Sequence, residues 1–376
     1  MKEAEATRDA LRVQSGTINV LRLFDVAYAI DLGRVEKLWT DHARSSSRAR
    51  LSTTPAKAMT FAEAPVVLAM PSVSIDFGDG AVECALTASL YGFGAVAIKV
   101  GVPVRDLAWP AFVEFERAVD RVIGPSSDAA FWLERLEFAV QVLEPALVRP
   151  SSGRLYEDYA VIVVQELDEP VSAEGLLERI DLVPLLSGEA RELAETARAE
   201  LMRNHFSYYR DDLVVLTWDR AFVYEPRGDS DVADVLEVAN AQLLELRYYD
   251  ELLDAELPRM YAQVEGARRV AALLASRHFA HLARRLQTMV AEVTELTEKI
   301  DNALQVTEDV YLARVYGAAL ALFRVPAVAA AVDRKLSIIR DTYTALYEEA
   351  SSRRMELMEL AIVLLIVVEI ALALRR

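Results

Sequence analysis

Two kinds of hydrophobic spacing divide this chain. Up to about residue 225, apolar positions come mostly in short runs rich in Val, Ile and aromatic residues. Such runs read as strands buried on both faces. Thr17–Leu32 reads as a strand that bends at Asp25, and residues 45–54, rich in Ser and Arg, as a loop. Val66–Met70 and Val73–Phe77 read as short strands before a turn at Asp76–Gly80. A buried strand, Ala95–Val100, follows Tyr91-Gly-Phe-Gly94, and Tyr159–Leu167 is another. Trp109–Ile123 has helical period, with Phe112, Phe115, Val119 and Val122 on one face. Phe131–Leu143 and Ala190–Asn204 also read as helices. Phe206–Tyr209 and Leu213–Trp218 form the arms of an expected hairpin around Arg210-Asp211-Asp212, the second arm extending towards Tyr224.

Beyond Pro226–Asp229 the strand signals stop. Val232 to about Val264 predicts one long helix, kinked at Pro258. The next helix carries Leu282, Leu286, Met289, Val293, Leu296, Ile300, Ala303, Thr307 and Val310, which alternate by four and three. That is a coiled-coil seam. Its partner is either the preceding helix, in an antiparallel hairpin, or a second chain in an intermolecular bundle. A last helix runs from about Pro326 through Tyr343 and Tyr347. The expected fold is α+β: an N-terminal mixed α/β head (1–225), a long helical hairpin or coiled-coil stalk (226–350) and one C-terminal transmembrane helix (355–374).

Met355–Leu374 carries that last expectation. About twenty helical residues span ~30 Å, the thickness of one bilayer core. Arg353, Arg354, Arg375 and Arg376 flank the segment and can reach head groups. Glu369 interrupts it. A charge at the centre of a membrane helix costs about 2.5–3.5 kcal/mol, and less nearer the end, so Glu369 reads either as a helix–helix contact in an oligomer or as an interfacial carboxylate. The first fifteen residues have no apolar core, and Glu3, Glu5 and Asp9 argue against a transit peptide. The body is therefore expected to stay in the compartment of its synthesis.

Composition narrows the function. A net charge of −17 makes direct nucleic-acid binding by the whole body an unfavourable reading. The one cysteine, Cys84, excludes an intramolecular disulfide and a cysteine-rich metal site. His278 and His281 have ligand spacing, but Arg277, Arg284 and Arg285 surround them with positive charge. No P-loop, GxSxG, HExxH or paired CxxC occurs. Tyr91-Gly-Phe-Gly94 does not continue as GxGxxG and reads as glycines easing tight packing at a strand start. One polar cluster stands out: Asp250 lies between Leu246 and Leu253 of an apolar seam, with Arg247 three residues before it. A buried acid there can pair with an arginine and fix helix register. The reading is of a chain without catalytic residues, cofactor or metal. Its candidate packing and oligomer residues are Arg247, Asp250, Leu286, Val293, Ile300 and Glu369.

Several of these segments resemble the RMD1/DUF155 family: Leu236–Asp254, Thr307–Arg314, the Leu365–Ile370 run, and Tyr91 with Gly92. The resemblance is strongest from about Tyr159 onward. It implies a single-pass, C-terminally anchored membrane protein that self-associates. Eukaryotic members include a mitochondrial inner-membrane protein supporting mitochondrial translation and yeast proteins tied to meiotic division and sporulation. No catalytic residue carries over. The resulting expectation is a membrane-anchored, homo-oligomeric scaffold that binds a bilayer and an unidentified protein partner. Its expected place is the bacterial inner membrane with the bulk of the chain cytoplasmic, or alternatively the mitochondrial inner membrane. The alternatives are a membrane-anchored ligand sensor or enzyme with its site in the head, and a ribosome-associated tether.

Overall fold

The structure, a computed structural model, describes residues 11–41, 46–48, 59–61, 63–78, 80–151, 155–189, 191–228, 231–268, 272–301, 304–306 and 311–375. They form two compact units. One comprises residues up to 245 together with 300–326; the other comprises 246–299 and 327–376.

The first unit is built on a nine-stranded sheet. Its strands are β1 (Arg12–Asp25), β3 (Ser46–Arg48), β5 (Val66–Asp76), β6 (Ala81–Leu90), β7 (Ala95–Ala108), β9 (Tyr156–Leu167), β10 (His205–Phe206), β11 (Leu213–Leu216) and β12 (Arg220–Tyr224). Their spatial order is β10-β11-β12-β9-β1-β7-β6-β5-β3. All neighbours are antiparallel except β12 and β9. Two short ribbons pair β2 (Ala27–Ile30) with β8 (Leu147–Pro150), and β4 (Met59–Phe61) with β13 (Leu304–Val306).

The central strands are apolar in unbroken runs because both of their faces are covered. Ile18, Ile98, Val100, Ile162 and Phe222 share one face. Against it pack α1 (Leu32–Asp41), α2 (Trp109–Ile123), α3 (Ala129–Leu143), α4 (Ala173–Arg179) and α5 (Val183–Ser187). Trp109 of α2 meets Phe222 edge-on at 6.0 Å. The short α6 (Glu195–Leu201) buries no side chain. On the opposite face Leu21, Leu23, Ala97, Tyr159, Val161 and Val223 are buried. They share that side with the first fourteen residues of α7 (Val232–Arg268) and with α9 (Tyr311–Leu322). The Tyr159 ring lies 5.2 Å from that of Phe323, just beyond α9.

The second unit is helical: α7 from Leu246, α8 (Ala272–Asp301) and α10 (Val325–Leu374) from Ala327. Each helix buries a stripe spaced by three, four or seven. The stripes are Leu246, Tyr249, Leu253 and Met260; Leu282, Leu286 and Val293; and Val332, Leu336, Ile339 and Leu346. These are heptad seams meeting within one chain.

Several expectations shift. The bend in the first strand falls at Val26, which separates β1 from β2. Val66–Asp76 is one strand with a register shift between Met70 and Val73, not two strands. The Ala190–Asn204 helix shortens to α6, and β3 lies within the expected loop, most of which is outside the described residues. The composition change near Pro226 marks the end of the large sheet's strands, but β13 (Leu304–Val306) follows beyond it, against the expectation that strands end there, and the sheet unit also takes in α7 as far as Glu245 and residues 300–326. A face of sheet this apolar needs helices over it, and the chain supplies them after β12, the last strand of the large sheet.

Among the described residues no single helix is long and apolar enough to cross a membrane. The run Met358–Leu374 is 17 residues, about 25 Å of helix against a bilayer core of ~30 Å. α9 and the first part of α10 reach the needed length and apolarity only as a bent pair, and both bury side chains within their own units.

Candidate functional site

The first stretch of α7 has no solvent face. Val235 through Gln242 are all buried, including Glu237, Asn240 and Gln242. A helix buried all round must satisfy its polar side chains within the protein, and each of these is met. Tyr91 Oη donates to Glu237 Oε1 at 3.0 Å, and Lys99 Nζ donates to Glu237 Oε2 at 3.0 Å. Asn240 Nδ2 donates to the Leu236 carbonyl at 2.9 Å, and Tyr316 of α9 donates to Gln242 Oε1.

Strand alternation places Lys99 here. Ile98 and Val100 enter the core under α2, so Lys99 points to the α7 side. Tyr91 is positioned by the turn before β7. Gly94 holds φ +111°, and a Cβ there would lie 1.8 Å from the Ala27 carbonyl oxygen, so only glycine fits. Thr87, opposite Lys99 in register, has a buried Oγ1 without a hydrogen-bond partner.

The electrostatics hold protons in place. The Glu237 carboxylate raises Lys99 above its ordinary value. Burial, then Glu237, pushes the Tyr91 phenol well up. Burial also raises Asp234, one turn before Glu237, against the lowering effect of Lys99. A lysine held cationic and a phenol held neutral are not poised for acid–base chemistry. The arrangement is an ion-pair lock between α7 and the sheet.

Two further charge clusters lie in the same unit. Arg220 Nη1 donates to Glu116 Oε1 at 3.1 Å and to the Leu185 carbonyl at 3.3 Å, with Asp219 and Asp120 also within ion-pair distance. One guanidinium thus serves three carboxylates. Glu116 Oε2 is buried without a partner, and burial pushes Glu116 up to about 7 despite Arg220. Arg22 pairs with Asp158 and lies over the rings of Tyr156 and Trp132, at 4.6 and 5.2 Å. Nearby Asp25 accepts a hydrogen bond from Ser151 Oγ and is pushed up to about 6 by burial. Among the described residues no group of three or more His, Cys, Asp or Glu side chains is placed to hold a metal ion.

The residues singled out from sequence fall mostly in the helical unit. Asp250 Oδ1 accepts from Lys335 Nζ of α10 at 2.7 Å, and Lys335 also reaches Asp254 at 2.7 Å. The cation on Asp250 is therefore a lysine 85 positions away. Arg247 is half-buried one turn before it. Leu286 and Val293 are buried in the in-chain seam, and the side chain of Ile300 lies outside the described residues. Glu369 is exposed on α10. The first half of the 307–314 segment is also outside the described residues, while Tyr311 rests 5.6 Å from Tyr208. Tyr91 and the Leu236–Asp254 helix, picked out separately by resemblance, meet at Glu237 across 146 positions. Lys99 and Glu237 were missed. The one available signal was a lone lysine in the otherwise apolar Ala95–Val104 run.

An uncharacterized protein, MJ0711 of Methanocaldococcus jannaschii, is 25% identical over 248 residues, covering 65% of this chain and 75% of that protein. No solved structure matches the chain. The family model described as "Uncharacterized protein MJ0711, N-terminal domain" matches residues 15–231, the segment holding the large sheet but for the first three residues of β1. The chain belongs to this DUF155-like family, defined by the N-terminal domain of MJ0711.

Proposed function

We propose that this protein is a membrane-tethered scaffold of the RMD1/DUF155 type, with the α+β unit displayed at a bilayer surface by the C-terminal part of α10. The observation that carries this reading is the exposure of a mostly apolar helix, interrupted by Glu359 and Glu369. Leu360, Ile362, Val363, Leu364, Leu365 and Ile366 are each 49–66% exposed, and Leu372 and Leu374 continue the run. Apolar surface of this extent in water is strongly unfavourable, whereas lipid removes the penalty. Seventeen described residues lie at the short end of known spans, and Leu357 with the flanking arginines of the sequence lengthens the segment.

Self-association belongs to the same proposal. With Leu286 and Val293 buried in-chain, the α8 seam is not its surface, and the Glu369-bearing stretch of α10 takes that role. The head is then cytoplasmic at a bacterial inner membrane, and its partner is a protein. An alkaline carbonate wash of membranes from expressing cells tests the anchor: the chain is expected in the pellet, and its release into the supernatant contradicts the tether. Light scattering of the detergent-extracted protein tests self-association. A mass of two or more chains of 41.8 kDa is expected, and a single chain contradicts it.

A further inference from the structure

The sheet splits at one end. β6 and β7 pair only from Ala85–Leu90 against Val96–Gly101. Beyond Gly101, β7 stays with β1 through Ala108, while Ala81–Cys84 of β6 stays with β5. The reason is local. Pro103 offers no N–H to a neighbouring strand, and Asp106 holds φ +49°, outside strand geometry. That strained residue is clamped by Arg12, whose Nε and Nη2 donate to Asp106 Oδ1 at 3.0 and 2.8 Å and whose Nη2 also donates to the Asp106 carbonyl at 2.8 Å. Unfavourable backbone held by specific contacts is typical of functional sites.

The split opens a cleft of about 890 Å³. Phe77, Val82, Val104 and Phe115 give it an apolar lining, with the two phenyl rings edge-on at 5.7 Å. Arg105 and Arg121 also line it. Among the described residues neither guanidinium has an ion-pair or hydrogen-bond partner, in a chain that carries 58 acidic residues. The two carboxylates lining the cleft are both engaged: Glu83 accepts from Ser72, and Glu114 is paired with Arg117. The lining thus carries two arginines and two glutamates, and with both glutamates engaged Arg105 and Arg121 are its charged groups left without a partner among the described residues.

We infer that this cleft is a binding site for a small organic anion with an apolar body, such as an aromatic or branched acyl carboxylate or phosphate monoester. The body lies on the Phe77–Phe115 lining, and the anionic head is held by Arg105 and Arg121. Apolar walls with a few polar groups that fix orientation are the usual make-up of a small-molecule site, and the planar guanidinium fork suits carboxylate and phosphate. The inference does not depend on membrane attachment.

The test is calorimetric titration of the full-length chain in nanodiscs of zwitterionic lipid, with empty discs as the blank. The probes are 2-naphthoate, 2-naphthyl phosphate and the uncharged 2-naphthalenemethanol. Saturable binding of at least one anion is expected, at least tenfold tighter than the alcohol. The double variant Arg105→Gln/Arg121→Gln should weaken that anion at least tenfold. Both side chains are exposed and unpaired, so its melting curve should match the wild type. Ala111→Trp, an exposed position of α2 lining the cleft, should block binding by filling it. The inference is overturned if neither anion binds saturably at millimolar concentration, or if binding survives both variants unchanged.

Discussion

Single side chains decide how the sheet unit holds its first covering helix. Glu237 sits between Tyr91 and Lys99 where solvent is excluded from the carboxylate. Breaking a buried pair by removing one partner costs about 3–5 kcal/mol, whereas replacing both with apolar groups is often near neutral. Lys99 keeps some solvent exposure, so Glu237→Leu is expected to destabilise by about 3 kcal/mol in urea unfolding. The double variant Lys99→Met/Glu237→Leu should recover most of that loss; no recovery would mean that Glu237 acts through packing alone. Glu116 gives a pH signature. Its folded pKa, about 7, lies above the ordinary 4.5 because burial outweighs an Arg220 shared with Asp219 and Asp120. The folded state therefore binds this proton more tightly than the unfolded chain. Its contribution is fully present below about pH 4.5 and is lost as pH rises through 7, on the order of 2–3 kcal/mol in all. Asp25, raised to about 6, acts in the same direction. Glu116→Gln should flatten the fall in stability between pH 5 and 7, and an unchanged slope would assign it to other groups.

At the scale of elements, the seams of the helical unit and the turn before β7 make separate predictions. Leu286 is buried among stripes contributed by three helices of the same chain. Leu286→Ala should cost about 3 kcal/mol while leaving the mass seen in light scattering unchanged; a drop in mass would place the seam between chains. Gly94→Ala requires both a change of φ and a shift of the Ala27 carbonyl. It should destabilise by more than about 2 kcal/mol, with the loss visible in the same urea titration. Much at this level was legible. Trp109–Ile123 was readable to the residue because Phe112, Phe115 and Val119 repeat at helical period. Of the α8 seam, Leu282, Leu286 and Val293 are buried as expected, but the helix ends at Asp301, before Ala303, Thr307 and Val310, and β13 follows. Periodicity reports which face is buried but not by what, so it left the in-chain and intermolecular partners of the seam equal. Asp250 shows the limit. Its place between Leu246 and Leu253 marked it as an acid with a partner, but nothing near it in sequence indicates Lys335. Tyr91 and Glu237 are separated by 146 positions, and their meeting depends on the order of strands in the sheet, which no local pattern encodes.

At the scale of the molecule, the chain comprises a sheet unit and a helical unit, and the apolar end of α10 in the latter is exposed. The change in hydrophobic spacing near residue 226 anticipated the end of the large sheet's strands but neither β13 nor the return of α7 and residues 300–326 to the sheet unit. The uncovered face of a sheet is a property of the folded layer and leaves no mark at the boundary itself. The end of α10 is apolar in composition and exposed along its length, and the proposed membrane attachment rests on those two properties. Flotation of the full-length chain with phospholipid vesicles on a density gradient, compared with Leu364→Arg/Val367→Arg, tests the central claim most directly. Two arginines mid-run cost about 5–7 kcal/mol of insertion at about 2.5–3.5 kcal/mol each and replace side chains that are exposed on α10. The account predicts that the wild type floats with the vesicles and the variant stays at the bottom as a folded protein. A wild type that stays at the bottom, or a variant that floats equally well, would contradict it.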